Sequence, residues 1–210
     1  MVGKYLKFES GENELEGVLF EPGDKNNIIS IVLHPHPQYG GSMNNNVVDG
    51  VCNVLSKNGL GAFKFNCSGV GNSGGRLEGF ERAFLDVKNA VKFLKKDYEN
   101  IGFIGYSWGS YAGLKALIDD NILKFLGGIS PPVSLWDYSF LTKESSKQPK
   151  VFVIGENDFF CDKNRFIQLF NQIKVEKKAY KILPTDHFYV GYEEEAGKFI
   201  LEFITQNILK

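Results

Sequence analysis

The 210-residue chain has little net charge and no long apolar run. Its 24 lysines and arginines nearly balance 25 aspartates and glutamates, for a formal net charge of −1. Nothing in this balance favours nucleic acid or an anionic membrane as a partner. No apolar stretch approaches the roughly 20 residues of a membrane span, and Met1–Tyr5 lacks the pattern of a secretory signal. We therefore expect a cytoplasmic protein without a membrane span or a nucleic-acid partner.

Cysteine and histidine are also scarce. The three cysteines are widely spaced, and we interpret them as free thiols of a reducing compartment. They are Cys52, Cys67 and Cys161. The only histidines are His34, His36 and His187. Because His34 and His36 lack a further histidine or a cysteine pair nearby, we expect no metal and no cofactor, and assign these two side chains to shaping their loop.

Apolar segments typical of strands alternate with segments of helical periodicity along most of the chain. Residues 4–20 predict an antiparallel hairpin that turns at 10–13. Further strands are predicted at 28–33, 60–65, 101–104, 125–129, 151–154 and 179–183. Helices are predicted at 43–58, 80–96, directly after Ser107, at 164–173 and at 192–208. This alternation predicts one α/β domain over residues 1–210, with a mostly parallel central sheet, an N-terminal antiparallel hairpin and helices on both faces.

One pentapeptide, Gly105–Gly109, reads G-Y-S-W-G and follows the apolar run at 101–104. G-x-S-x-G is the pattern of a nucleophile elbow, a strained strand-to-helix turn that exposes a serine hydroxyl. So tight a turn leaves no room for side chains beside the serine and needs backbone angles that glycine adopts easily. The pattern predicts Ser107 as a nucleophile.

A nucleophilic serine needs a base, and the base needs a carboxylate to orient it. His187 follows the last predicted strand, and Asp158 lies just past the strand at 151–154. Because loops at the carboxyl ends of parallel strands build the site in open sheets, we expect both to lie near Ser107. Asp186, adjacent to His187, is expected to cap a turn. The alternative carboxylates are Glu156, Asp162 and Asp137.

Stabilising the charge that develops on a substrate carbonyl oxygen requires two backbone N–H donors. One is expected from Trp108, which follows the serine and begins a helix. The other is expected from the loop at 34–41, in which two prolines have no N–H. The remaining candidates are His36, Gln38 and Tyr39. We favour Gln38, which lies just beyond His36-Pro37 and before the flexible Gly40-Gly41, and place His36 next.

A glycine-rich stretch at 69–74 matches the dinucleotide-binding pattern G-x-G-x-x-G. That fingerprint requires a helix to open within the motif and an acidic residue at the end of the next strand. Here residues 75–79 intervene before the predicted helix, and the next strand ends at Ser107. We therefore interpret the stretch as a hydrolase loop.

Together these motifs resemble the α/β-hydrolases, in which the triad occurs in the order serine, acid, histidine. The resemblance extends over the whole chain. The stretches at 34–43 and 65–71 are similar to a small lidless subgroup, predicted hydrolases related to dienelactone hydrolases. Dienelactone hydrolases themselves carry cysteine at the elbow, whereas this chain has Ser107, which argues against their particular substrate.

The function predicted is that of a serine hydrolase, a carboxylesterase or thioesterase acting through an acyl-enzyme. The connection at 130–150 is too short for a lid domain, so we expect an open, shallow site for small or short-chain acyl substrates. Its aromatic rim is expected from Trp136, Tyr138 and Phe140, and further pocket candidates are His36 and Tyr39. The alternatives are a peptidase or acyltransferase with the same triad, or a non-catalytic binding protein. The oligomeric state stays open, a homodimer included.

Overall fold

The computed structural model describes residues 2–23, 27–143 and 146–209. The strands are β1 Lys4–Ser10, β2 Asn13–Phe20, β3 Ile28–Leu33, β4 Gly61–Phe65, β5 Asn100–Tyr106, β6 Leu126–Ile129, β7 Lys150–Gly155 and β8 Lys178–Leu183. The helices are α1 Asn46–Lys57, α2 Gly79–Leu94, α3 Trp108–Leu117, α4 Lys163–Gln172 and α5 Glu193–Asn207. Every helix and strand predicted from the sequence is therefore present.

The eight strands form one sheet in the order β1-β2-β4-β3-β5-β6-β7-β8. The pairs β1–β2 and β2–β4 are antiparallel, and all the others are parallel. This confirms the predicted α/β fold with its N-terminal hairpin. Helix α1 begins at Asn46 rather than at 43, because the Asn45 side chain accepts a hydrogen bond from the Val47 N–H and caps the helix there.

Helices cover both faces of the sheet. Side chains of α2, α3 and α4 pack in one apolar cluster that includes Val87, Leu114 and Phe166. Those of α1 and α5 pack in a second cluster that includes Val51 and Ile200. Strand β3 is buried along its whole length, as expected of a parallel strand covered on both faces. No helix among the described residues is long and apolar enough to cross a membrane.

The parallel register brings the carboxyl ends of the strands to one edge of the sheet. Leu33 at the end of β3 pairs with Gly105 in β5, and Ile129 at the end of β6 pairs with Val153 in β7. Gly155 pairs with Leu183 where β7 and β8 end. The loops that follow these strands therefore emerge side by side, which is where open α/β sheets place their sites.

The connection between β6 and β7 contains no lid domain in its described part, 130–143 and 146–149. Its only regular element there is a short 3-10 helix, Ser139–Thr142. All three cysteines are free and buried, as predicted.

Candidate active site

Ser107 lies at the turn from β5 into α3 in a strained backbone conformation, with φ 53° and ψ −122°. Few residues other than glycine have a positive φ. The flanking glycines are required sterically. A Cβ at Gly105 would clash with the Gly109 carbonyl, and one at Gly109 would clash with the His34 carbonyl oxygen. The turn is therefore held tightly against the end of β3.

Loops after three different strands bring Ser107, His187 and Asp158 together. His187 Nε2 lies 2.8 Å from Ser107 Oγ. On the other side of the ring, Nδ1 lies 2.8 Å from Asp158 Oδ2 and 2.9 Å from Oδ1. All three residues are buried. The side chains form one unbroken line of hydrogen bonds from hydroxyl to carboxylate.

The remaining carboxylates considered from the sequence have local partners instead. Glu156 pairs with Lys163, Asp162 accepts from the Arg165 N–H and caps α4, Asp137 accepts from Ser139, and Asp186 accepts from the Phe188 N–H. The turn-capping role expected of Asp186 is confirmed. Asp158 is thus the carboxylate that faces the imidazole.

The environment of Asp158 favours its ionised form. Burial alone would raise the pKa of this carboxyl, yet hydrogen bonds from His187, Ser130 and the Cys161 N–H together hold the pKa below its ordinary value. The Phe160 N–H donates to the same Oδ1 atom at 2.9 Å. An ionised carboxylate only accepts hydrogen bonds, so Nδ1 of His187 carries the proton and Nε2 is free to accept from Ser107.

The loop after β3 differs from the sequence-based expectation in one respect. Residues Pro37–Tyr39 form a 3-10 helix capped by the His36 side chain, and the Gln38 N–H is donated to His36 Nδ1 at 3.2 Å. The Gln38 N–H is therefore not free in this structure, and its role as the second donor stays a prediction. The Tyr39 N–H is also occupied, by the His36 carbonyl at 3.1 Å.

Two of the candidate donor amides are left without an acceptor within the described part of the chain. One is the His36 N–H, and the other is the Trp108 N–H at the first residue of α3. A helix N-terminus leaves its first N–H groups unsatisfied, which suits an oxyanion. The free N–H favours His36, the second choice from the sequence, over Gln38 as the candidate second donor.

The buried His34 side chain anchors this loop through hydrogen bonds to the backbone. It is fully buried, its Nε2 accepts from the Cys67 N–H at 3.2 Å, and its Nδ1 donates to the Pro35 carbonyl at 2.7 Å. Burial lowers the pKa of His34 to about 4, so the ring is neutral at neutral pH. Its ring stacks on Trp108 with centroids 5.7 Å apart. Both ring nitrogens are occupied by backbone groups, and the predicted loop-shaping role is confirmed.

A cavity of about 480 Å³ opens in front of Ser107. It is lined by Pro35, His36, Tyr39, Gly40, Gly41, Asn45, Tyr106, Ser107, Pro132, Leu135, Trp136, Phe160, His187 and Phe188. All three predicted pocket residues, His36, Tyr39 and Trp136, are among them, and Gln38 is not. No lining residue is an aspartate, glutamate, lysine or arginine. Burial of the His36 imidazole lowers its pKa, which favours the uncharged ring.

The aromatic rim is composed differently from the one predicted. Tyr138 and Phe140 are each only 2% exposed and pack in the core, so their assignment to the rim was wrong. Sequence reasoning missed Phe160 and Phe188, which are 41% and 61% exposed. Both could have been predicted from the sequence, because Phe160 follows Asp158 by two residues and Phe188 follows His187 directly.

Backbone N–H groups of the glycine-rich stretch at 69–74 donate hydrogen bonds to acceptors within the protein. The Gly69 N–H donates to the Gly74 carbonyl at 3.0 Å, and the Gly74 N–H donates to the Glu14 carbonyl at 2.8 Å. The Asn72 N–H donates to Glu16 Oε1 at 2.7 Å. These amides are unavailable to a phosphate, which agrees with the interpretation as a hydrolase loop.

No protein-family model matches the chain. It is 29% identical over 210 residues to an uncharacterized protein of Rickettsia prowazekii, an alignment that covers 95% of this chain and 87% of that protein. Among solved structures it superposes on an α/β serine hydrolase homologue from Coxiella burnetii with a TM-score of 0.86, 26% identity and coverage of 96% and 97%. A lidless α/β serine hydrolase from Xanthomonas campestris gives a TM-score of 0.83 at 20% identity, with coverage of 97% and 94%.

Proposed function

We propose that this chain, which has the α/β-hydrolase fold without a lid, is a serine hydrolase of carboxylic esters or thioesters. One observation carries the proposal: the continuous hydrogen-bonded line from Ser107 Oγ through His187 to Asp158. This constellation activates a serine hydroxyl on many unrelated folds, because it supplies a base and orients that base at the same time. The hydrolase and serine-hydrolase neighbours support the same conclusion.

In the acylation step, Ser107 Oγ attacks the substrate carbonyl carbon while its proton passes to His187 Nε2. The Asp158 carboxylate stabilises the imidazolium that results. The carbonyl oxygen gains the negative charge and accepts hydrogen bonds from the His36 and Trp108 N–H groups. The tetrahedral intermediate then collapses, and His187 returns the proton to the departing alcohol or thiol.

In the deacylation step, a water molecule takes the place of the leaving group. His187 removes a proton from this water, whose oxygen attacks the carbonyl carbon of the acyl-Ser107 ester. Collapse of the second tetrahedral intermediate breaks the bond to Ser107 Oγ, which regains its proton from His187. The products are the carboxylic acid and the free enzyme.

The cavity favours uncharged, apolar substrates. No charged lysine, arginine, aspartate or glutamate lines it, so a carboxylate or phosphate on the acyl part would lose water without gaining a partner. Leu135, Trp136, Phe160 and Phe188 offer apolar contact instead. We therefore propose neutral esters with small or short acyl chains as the substrate class.

Labelling with a fluorophosphonate probe tests the proposal directly. Wild type is expected to label and Ser107→Ala to lose all labelling, with circular dichroism spectra of the two proteins superimposed. Absence of labelling and of ester hydrolysis in wild type would favour a non-catalytic binding protein.

A panel of p-nitrophenyl esters tests the substrate class. Acetate and butyrate esters are expected to give a higher kcat/KM than the octanoate, and neutral butyrate a higher one than the anionic hemisuccinate. Faster cleavage of amides, or preferential transfer of the acyl group to an alcohol, would instead favour a peptidase or an acyltransferase. A higher kcat/KM for the octanoate would contradict the short-chain proposal.

A further inference from the structure

Three buried tyrosines lie around the proposed triad. Tyr106 and Tyr138 are each 2% exposed, and Tyr189 is fully buried. Burial raises the pKa of each phenol, so all three keep their protons and remain hydrogen-bond donors at neutral pH. Buried tyrosine hydroxyls normally have a specific partner. Here the hydroxyl contacts of each tyrosine connect it, directly or through a serine, to a different residue of the proposed triad.

Tyr106 holds His187 through the main chain. Its hydroxyl donates to the His187 carbonyl oxygen at 2.6 Å. Its ring also packs against the imidazole, with centroids 5.6 Å apart and an interplanar angle of 32°. Because Tyr106 precedes Ser107 in the chain, this bond ties the loop that carries the base to the turn that carries the nucleophile.

Tyr138 reaches Ser107 through Ser110. The Ser110 hydroxyl donates to the Ser107 carbonyl at 2.6 Å and lies 2.8 Å from the Tyr138 hydroxyl. A serine hydroxyl has one proton, which Ser110 gives to Ser107, so Tyr138 is the donor in the second bond. The chain of donation runs from Tyr138 to Ser110 to Ser107 and supports a backbone held at positive φ.

Tyr189 contacts Ser130, the residue next to the Asp158 carboxylate. The Ser130 side chain is one of the groups that lower the pKa of the Asp158 carboxyl by hydrogen bonding, which places it beside the carboxylate. The Tyr189 hydroxyl donates to the Val153 carbonyl at 3.2 Å and lies 2.9 Å from Ser130 Oγ, so it holds the Ser130 side chain and ties it to β7. Ser130 and Tyr189 have φ 45° and 58°, left-handed values that persist only where the surroundings hold them.

We propose that Tyr106, Tyr138 and Tyr189 are positioning residues, each fixing one member of the triad: His187, Ser107 and Asp158 respectively. This inference rests on the proposed hydrolase function. None of the three hydroxyls takes part in the reaction. Each one holds a group that must stay within a fraction of an ångström of its working geometry, where small displacements reduce kcat strongly.

Tyrosine-to-phenylalanine variants remove only the hydroxyl and test the inference with little change in packing. Tyr106→Phe, Tyr138→Phe and Tyr189→Phe are each expected to lower kcat for p-nitrophenyl butyrate about tenfold or more, with KM changed less than about twofold. Tyr180→Phe is the matched control. The Tyr180 ring packs on Phe166 and Phe170, and its hydroxyl makes no hydrogen bond within the described residues. This variant is expected to leave kcat and KM unchanged.

Double variants separate positioning from a general loss of stability. Tyr138→Phe combined with Ser110→Ala should lower kcat little beyond the larger single effect, because both act on one connection. Tyr138→Phe combined with Tyr189→Phe should lower kcat by the product of the two factors, because those connections are separate. All rates are measured far below each melting temperature, so that folded fractions are equal. Should a phenylalanine variant not fold, Ser110→Ala or Ser130→Ala breaks the same connection from its other end.

Phenylalanine variants with the kinetics of Tyr180→Phe, beside an active and labelled wild type, would overturn the positioning role and leave the hydrolase function intact. Losses that appear in KM alone would overturn it too, because a displaced triad affects the chemical step. A wild type that neither labels nor cleaves any ester would overturn the proposed function and this inference with it.

Discussion

The proposed triad and the loop at 34–41 lie side by side at the same edge of the sheet but are built differently. Ser107 is 8% exposed and is bonded through side chains of defined chemistry, whereas Tyr39 in the loop is 89% exposed. In the triad, the residue type determines what each position does. In the loop, the proposed working group is a backbone N–H, and the fold of the chain determines which one is free.

This difference separates the reacting centre from the surface that meets the substrate. Around the cavity, exposed apolar side chains project from loops: Tyr39, Leu135, Phe160 and Phe188. Such a surface has fewer internal contacts to hold it than the buried centre does. We expect changes at the centre to act on kcat and changes at this surface to act on substrate preference.

The largest effect is expected from Asp158→Asn. The asparagine amide would donate to His187 Nδ1, which places the imidazole proton on Nε2 and turns a hydrogen towards Ser107 in place of a lone pair. We expect kcat for p-nitrophenyl butyrate to fall about 10³- to 10⁴-fold with KM nearly unchanged. Steady-state kinetics at neutral pH measures this loss.

Asp186→Asn is the control for that experiment, because it changes the neighbouring acid in the same way while leaving the triad whole. Its kcat should stay close to that of wild type. Equal losses in the two variants would show that charge near the site matters and that orientation of His187 by Asp158 does not.

The next largest effect is expected from removing the His36 N–H, the proposed oxyanion donor of the loop. His36 has φ −60°, a value that proline adopts without strain, so His36→Pro removes the N–H while fitting the local backbone. His36→Ala removes the imidazole and keeps the N–H. Relative to His36→Ala, we expect His36→Pro to lower kcat about 10²- to 10³-fold, the usual effect of removing one oxyanion donor.

The kinetics of both variants are compared with the same neutral ester. Similar kcat values would mean that the second donor lies elsewhere in the loop. A large loss in His36→Ala itself would assign the role to the imidazole, which also caps the 3-10 helix.

Most of the fold was predictable because its elements carry strong local patterns. The buried run at 28–33 and the alternating hairpin at 4–20 correspond directly to β3 and to β1–β2. The start of α1 was missed, because it depends on whether the Asn45 side chain turns back to cap the helix. Several other polar residues nearby could equally have capped the helix.

The residues of the proposed triad were predictable for a different reason. A G-x-S-x-G elbow and a scarcity of histidines leave few choices for Ser107 and His187, and strand ends narrow the carboxylate to Asp158. The choice between Gln38 and His36 depends on a hydrogen bond made after the loop has folded. Partners of a buried tyrosine, such as Tyr189, come from distant parts of the chain and leave no local signal.

The smallest effect concerns His34, the buried end of the exposed loop. Burial lowers the pKa of this imidazole to about 4 in the folded protein, against an ordinary value of 6.5. Between these pH values only the unfolded chain binds the proton, so the stability contributed by neutral His34 is complete above pH 6.5 and lost as the pH falls towards 4. The loss is about 3 kcal/mol. Urea unfolding at a series of pH values measures this. At pH 7 the free energy of unfolding of His34→Gln should be lower than that of wild type. Between pH 6.5 and pH 4 it should fall less than that of wild type, by the amount that His34 contributes. Parallel curves for the two proteins would mean that His34 is protonated in the fold, and that the loop is not anchored as firmly as the triad beside it.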